Sequence, residues 1–180
     1  AIDEYTKAIK LNPRDPINYE FRGLAQSELK EFAKAVEDFS KAIELNPFGE
    51  DVYYCRGNSR VDLKQYTLAI EDFTKAIELN PKYSEAYFNR GITKLVIDDS
   101  IGGCSDLSKA GELESNSAYE IIKRNCNGII SNTVNPITAQ DYYNRGRIRD
   151  SLEDYKGALQ DYNKSIELNP KSARAYSYRG

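Results

Sequence analysis

Residues 53–81, YYCRGNSRVDLKQYTLAIEDFTKAIELNP, carry the pattern that the rest of the chain repeats. Pro81 closes the stretch, and Pro47 and Pro13 precede it at intervals of 34 residues, each after an asparagine. Asn135-Pro136 and Asn169-Pro170 again stand 34 apart. An Arg-Gly pair keeps step, ending at Gly23, Gly57 and Gly91, then at Gly146 and Gly180. A period of this length marks stacked supersecondary units that lean on their neighbours instead of enclosing one central core.

Inside the unit, apolar residues recur at three- and four-residue spacing. Ala69, Ile70, Phe73, Ala76, Ile77 and Leu79 form the stripe of a helix packed on one side. Tyr53, Gly57 and Val61 step by four along a preceding helix. Leu63-Lys64-Gln65 leaves room only for a tight turn between them, and Asn80-Pro81 ends the second helix because proline lacks the amide donor. The pattern predicts an all-α fold of antiparallel helix pairs. Gly57 and Ala69 are small where the two helices come closest, so a larger side chain there is expected to overpack.

These residues resemble the tetratricopeptide repeat family, which favours a large aromatic, a glycine four residues later, then alanine, an aromatic, alanine and proline. Tyr19, Gly23, Ala35, Phe39, Ala42 and Pro47 fill those slots in one copy, and Tyr53, Gly57, Ala69, Phe73, Ala76 and Pro81 in the next. The resemblance implies a right-handed superhelical solenoid whose first helices line a concave groove for an extended peptide or a partner's helix. One departure runs through every copy: the residue before the glycine is arginine, where the family more often has an aliphatic.

Read in order, residues 1–13 are the second helix of a unit without its first. Residues 16–47 and 50–81 are full repeats, and 84–115 is a third, eroded one. Gly103, Leu107 and Gly111 replace its alanine, phenylalanine and isoleucine, which makes its second helix the expected soft spot. The solenoid is then interrupted. Residues 116–126 form a capping helix, 127–138 a Gly- and Asn-rich linker, and 139–170 a further repeat, either continuing the solenoid or opening a second segment that packs on the first. Residues 172–180 begin another first helix. With half-units at both ends, the chain is expected to be a fragment of a larger protein, and end-to-end self-association through the uncovered faces is expected as well.

Composition narrows the function. The net charge is −3, so bulk electrostatics favour no nucleic acid, and no run is long and apolar enough for a membrane span. The chain has no histidine, the commonest general base and metal ligand, and it has no phosphate loop, zinc spacing or nucleophile elbow. No catalytic residue, cofactor or metal is therefore expected. Asp98-Asp99 is read as a solvated acidic turn. Cys55, Cys104 and Cys126 are most simply free thiols in a cytoplasmic protein. The alternative is a Cys104–Cys126 bridge, because both lie near one predicted helix junction, and this would place the protein in an oxidising periplasmic or secreted setting.

Two recurring sets of residues remain. Arg22, Arg56, Arg90 and Arg145 precede the glycines, while Asp38, Asp72, Asp106 and Asp161 precede the aromatic slot of the second helix. Opposite charges in every copy suggest a ladder of structural ion pairs, for which arginine's planar fork is suited. The second set lies on the first helices: Glu20 and Leu24; Tyr54 and Asn58; Phe88, Asn89 and Ile92; Tyr143, Asn144 and Arg147. Rings with interspersed amides supply contact area and main-chain hydrogen bonds, so these residues are the expected partner-binding groove. In the resembled family the best-defined groove grips the C-terminal carboxylate of heat-shock chaperones through lysine, arginine and asparagine. Here Asn58 and Asn89 match, but Tyr54, Gln140 and Asn144 stand where the cations would be, so chaperone-tail binding is not expected. The sequence reading is thus a non-catalytic protein–protein interaction scaffold for a peptide or helix of unknown identity. The alternatives are a substrate-recruiting or regulatory arm of a larger enzyme, and a purely architectural spacer.

Overall fold

The computed structural model describes residues 1–113, 116–126, 139–151 and 153–179, and among these every regular element is an α-helix. After α1 (Ile2–Leu11) come three antiparallel pairs: α2 (Pro16–Glu28) with α3 (Phe32–Leu45), α4 (Glu50–Asp62) with α5 (Tyr66–Leu79), and α6 (Ser84–Val96) with α7 (Ser100–Glu112). α8 (Asn116–Asn125) follows, then the pair α9 (Ala139–Ser151) and α10 (Tyr155–Leu168), and the short α11 (Ala173–Arg179). The linker expected at 127–138 lies outside the described residues.

One turn closes every pair. Lys30, Lys64, Asp98 and Glu153 take the left-handed conformation, with φ of 60°, 59°, 64° and 64°. In the second pair the Lys64 and Gln65 amides donate back to the Val61 and Arg60 carbonyls at 2.9 and 2.8 Å. This double bond pattern satisfies carbonyls that the helix end leaves without partners, and it reverses the chain within three residues. Asp99 completes the turn of the third pair by accepting from the Gly102 amide at 3.0 Å, so that aspartate is a helix cap.

The core is distributed along the array. Phe39, Phe73, Leu107 and Tyr162 are at most 2 % exposed, and each meets the glycine of its own first helix. A Cβ built on Gly23, Gly57 or Gly146 would fall 2.8, 2.7 or 2.6 Å from a carbon of the facing ring. In the third pair the facing atom is backbone, because a Cβ on Gly103 would lie 2.9 Å from the carbonyl oxygen of Gly91. Gly103, counted from the sequence as a loss to its helix, is where two backbones touch.

α8 lies on α7 as α4 lies on α3 and α6 on α5. Ala118, Ile122 and Cys126 are fully buried against Cys104, Leu107 and Ala110. Cys104 and Cys126 form a disulfide with their Cα atoms 5.7 Å apart, and Cys55 is a free thiol. Three free thiols, the simpler expectation from sequence, are therefore corrected: the return of α8 across α7 brings the two sulfurs together. Ile148 of α9 belongs to the same cluster, so the fourth repeat packs on the preceding segment.

Candidate functional site

The arginines before the glycines and the aspartates before the aromatic slot meet in every pair. Arg22 donates from Nε and Nη2 to Asp38 at 2.7 and 2.6 Å. Arg56 donates to Asp72 at 2.6 Å, Arg90 to Asp106 at 2.7 Å, and Arg145 to Asp161 at 2.6 Å, each from Nη2. The aspartates are buried, so such forks neutralise charges that burial would otherwise penalise. The third guanidinium nitrogen reaches the preceding unit. Nη1 of Arg22, Arg56 and Arg90 donates to the hydroxyls of Thr6, Ser40 and Thr74 at 3.1, 3.0 and 2.9 Å. Those hydroxyls donate in turn to carbonyls one turn back in their own helices, which fixes a lone pair towards the arginine. Arg22, Arg56 and Arg90 thus each tie three helices together. The bidentate bond to Asp38 raises the Arg22 pKa, and the bond to Asp161 does the same for Arg145.

A second cation joins three of the four aspartates. Arg60 donates to Asp72 at 2.8 Å, Lys94 pairs with Asp106 at 2.8 Å, and Arg149 donates to Asp161 at 3.0 Å. These cations follow the ladder arginine by one helical turn, a register present in the sequence that the ladder reading did not use. Gln26 holds the slot in the first repeat, and its buried Oε1 has no hydrogen-bond partner among the described residues.

The ladder faces the second helices and leaves the other side of the first helices to solvent. α2 touches α4 and α4 touches α6 more extensively than successive second helices touch one another, so the first helices follow the inner course of the array. Two clefts open on that side. The first, about 310 Å³, lies between α2 and α4 and is lined by Leu24, Glu28, Phe32, Cys55, Asn58 and Asp62. The second, about 240 Å³, lies between α4 and α6 and is lined by Asn58, Val61, Asp62, Asn89, Ile92 and Thr93. Asn58 and Asp62 line both, so the clefts adjoin.

Leu24, Asn58, Asn89 and Ile92 of the sequence-derived groove therefore come together here. Asn89 Nδ2 donates to Asn58 Oδ1 at 2.7 Å and to Tyr54 Oη at 3.1 Å, which links α6 to α4. Tyr54 is half-buried between the rings of Phe73 and Tyr83, and Phe88 and Ile92 pack partly on the third repeat's core. Glu20 is half-buried on α2. The fourth repeat differs. Tyr143 and Asn144 are only 5 % and 8 % exposed, Tyr143 against Tyr162 and Tyr178, and Asn144 accepting from Gln140 at 2.8 Å. Arg147 lies over the rings of Tyr143 and Tyr178 at 6.0 and 5.7 Å. None of these three lines the two clefts.

Glu28 and Asp62 line the first cleft, and Glu20 and Asp51 lie near Cys55 in its wall. Burial, followed by the charge of Asp51, pushes the Glu20 carboxyl above its ordinary value. Burial, with Asp51 and Glu20 adding to it, pushes the Cys55 thiol up to about 11, so at neutral pH it is protonated and a poor nucleophile. Tyr83 donates to Asp51 at 2.7 Å, and burial together with that bond raises its phenol. Among the described residues no group of three His, Cys, Asp or Glu side chains could hold a metal ion, and no helix is long and apolar enough to cross a membrane.

Models of the tetratricopeptide repeat match residues 18–48, 50–83, 73–114 and 139–172. The chain belongs to the tetratricopeptide repeat family. A comparison with curated proteins returns no match. Among solved structures, YrrB, described as a TPR protein with an unusual peptide-binding site, is 23 % identical at a TM-score of 0.62, with 98 % of each chain covered. A tetratricopeptide repeat protein from Parabacteroides merdae ATCC 43184 is 22 % identical at a TM-score of 0.60, over 99 % of this chain and 75 % of that one. The first TPR of Spaghetti (RPAP3), bound to the HSP90 peptide SRMEEVD, is 20 % identical at a TM-score of 0.61, over 64 % of this chain and 93 % of that one. At these identities the likeness shows the shared helical-repeat fold.

Proposed function

We propose that this TPR protein is a non-catalytic interaction scaffold that holds a peptide or partner helix along the inner sides of α2, α4 and α6. The observation that carries the reading is the pair of adjoining clefts joined by Asn58 and Asp62, with an apolar floor and two hydrogen-bonded asparagines. An extended peptide needs just such amides, which accept and donate to its main chain, while its side chains enter the clefts. The peptide-binding site of YrrB and the peptide held by RPAP3 support the same use of the fold. The Cys104–Cys126 bond suits an oxidising compartment, which makes secreted or periplasmic proteins the natural partners to test.

The experiment is affinity capture followed by mass spectrometry, with the chain carrying Asn58→Ala and Asn89→Ala run beside the unaltered chain. Both asparagines are half-buried, so the array should keep its circular dichroism spectrum and melt close to the unaltered chain. Loss of the captured partners is expected. Undiminished capture by a folded double variant would overturn the proposal.

A further inference from the structure

The cations of α2, α4 and α6 are all spent on the ladder. α2, α4 and α6 carry Arg22, Arg56, Arg60, Arg90 and Lys94 and no other lysine or arginine. All five are drawn to Asp38, Asp72 or Asp106 on the second helices. Their carboxylates are distributed in the opposite sense. Glu28 and Asp62 line the clefts at the C-terminal ends of α2 and α4, are exposed, and have no ion-pair partner among the described residues. Glu20 and Asp51 lie nearer the N-terminal ends, close enough to repel each other, and the Tyr83 hydroxyl donates to Asp51. Fixing the cations of α2, α4 and α6 on the side of the second helices has left the cleft side of α2 and α4 with carboxylates alone.

We infer that the occupant of this groove is an extended basic peptide, with lysine or arginine side chains reaching Glu28 and Asp62 on one rim and Glu20 and Asp51 on the other, while Asn58 and Asn89 bond its main chain. The inference rests on the scaffold reading and adds the chemistry of the ligand. Charge complementarity supports it. A guanidinium or ammonium entering between unpaired carboxylates gains charge-assisted bonds, whereas an acidic tail meets like charge and no cation. Half-burial of Glu20 strengthens the effect, since an unpaired carboxylate out of water is relieved by an incoming cation.

The test uses three fluorescein-labelled ten-residue peptides with leucine at every third position and lysine, serine or glutamate filling the rest. Fluorescence anisotropy with the full chain should show the lysine peptide bound at least about tenfold more tightly than the serine peptide, with the glutamate peptide weakest. Raising NaCl from about 50 to about 500 mM should weaken the lysine peptide by at least about tenfold. Glu28→Gln with Asp62→Asn should weaken it comparably, while Glu37→Gln with Glu71→Gln, exposed on α3 and α5, should leave it unchanged. Serine or glutamate peptides binding as tightly as lysine would overturn the basic ligand while leaving the groove standing. Equal losses from the two pairs of substitutions would overturn it as non-specific attraction. No binding by any peptide would overturn both the inference and the scaffold reading.

Discussion

Arg22 grips Asp38 through Nε and Nη2 at 2.7 and 2.6 Å, and among the described residues no second cation shares that carboxylate. Asp72, by contrast, holds both Arg56 and Arg60. Arg22→Ala strands a carboxylate whose side chain is 7 % exposed and is expected to cost about 3–5 kcal/mol. Arg56→Ala leaves Asp72 with Arg60 and should cost clearly less. Urea denaturation of both variants checks the order, and equal losses would show that the second cation does not neutralise Asp72.

Close packing sets the next expectation. A Cβ at Gly57 would fall 2.7 Å from Cε1 of Phe73, whose ring is fully buried and cannot swing away. Alanine improves helix propensity by about 1 kcal/mol, yet overpacking of about 1–3 kcal/mol opposes it. Gly57→Ala should therefore lower the melting temperature. A rise would mean that the two helices separate without loss.

Tyr162 stands where Phe39 and Phe73 stand in the earlier repeats, but its hydroxyl is buried with no hydrogen-bond partner among the described residues. Removing an unsatisfied buried polar group relieves a penalty of about 1–3 kcal/mol. Tyr162→Phe should raise stability towards the lower end of that range in chemical denaturation.

Glu20 provides a pH signature. Its carboxyl is raised in the folded chain, by burial first and Asp51 second, so between the ordinary and the raised value the native state binds more protons than the unfolded one. Its contribution to stability therefore declines as pH rises through that window. Glu20→Gln should melt higher than the parent at pH 7, and the difference should vanish at about pH 3, where both side chains are neutral. A difference independent of pH would assign the effect to packing.

The sequence carried the helix pairs because their markers are local. Asn-Pro ends, Arg-Gly pairs and three-to-four spacing each act within one helix or turn, so period and fold class follow without tertiary knowledge. Features that depend on how units dock were harder to see. The disulfide needs α8 folded across α7, so the sequence offered it only as the alternative to free thiols, from the nearness of both cysteines to one helix junction. Burial of Tyr143 and Asn144 depends on α9, α10 and α11 closing around them, although the same register leaves Tyr54 and Asn89 half-buried. The hydroxyls of Thr6, Ser40 and Thr74 repeat every 34 residues and were legible in principle, yet only the superhelix brings each one to the next unit's arginine.

Backbone amide chemical-shift mapping, with a partner peptide recovered from the capture experiment titrated into isotope-labelled chain, shows where on the array the peptide lies. The account predicts that the largest perturbations fall on α2, α4 and α6, at Leu24, Asn58, Asp62 and Asn89. Perturbations concentrated on α3, α5 or α10, with those four residues unmoved, would contradict it.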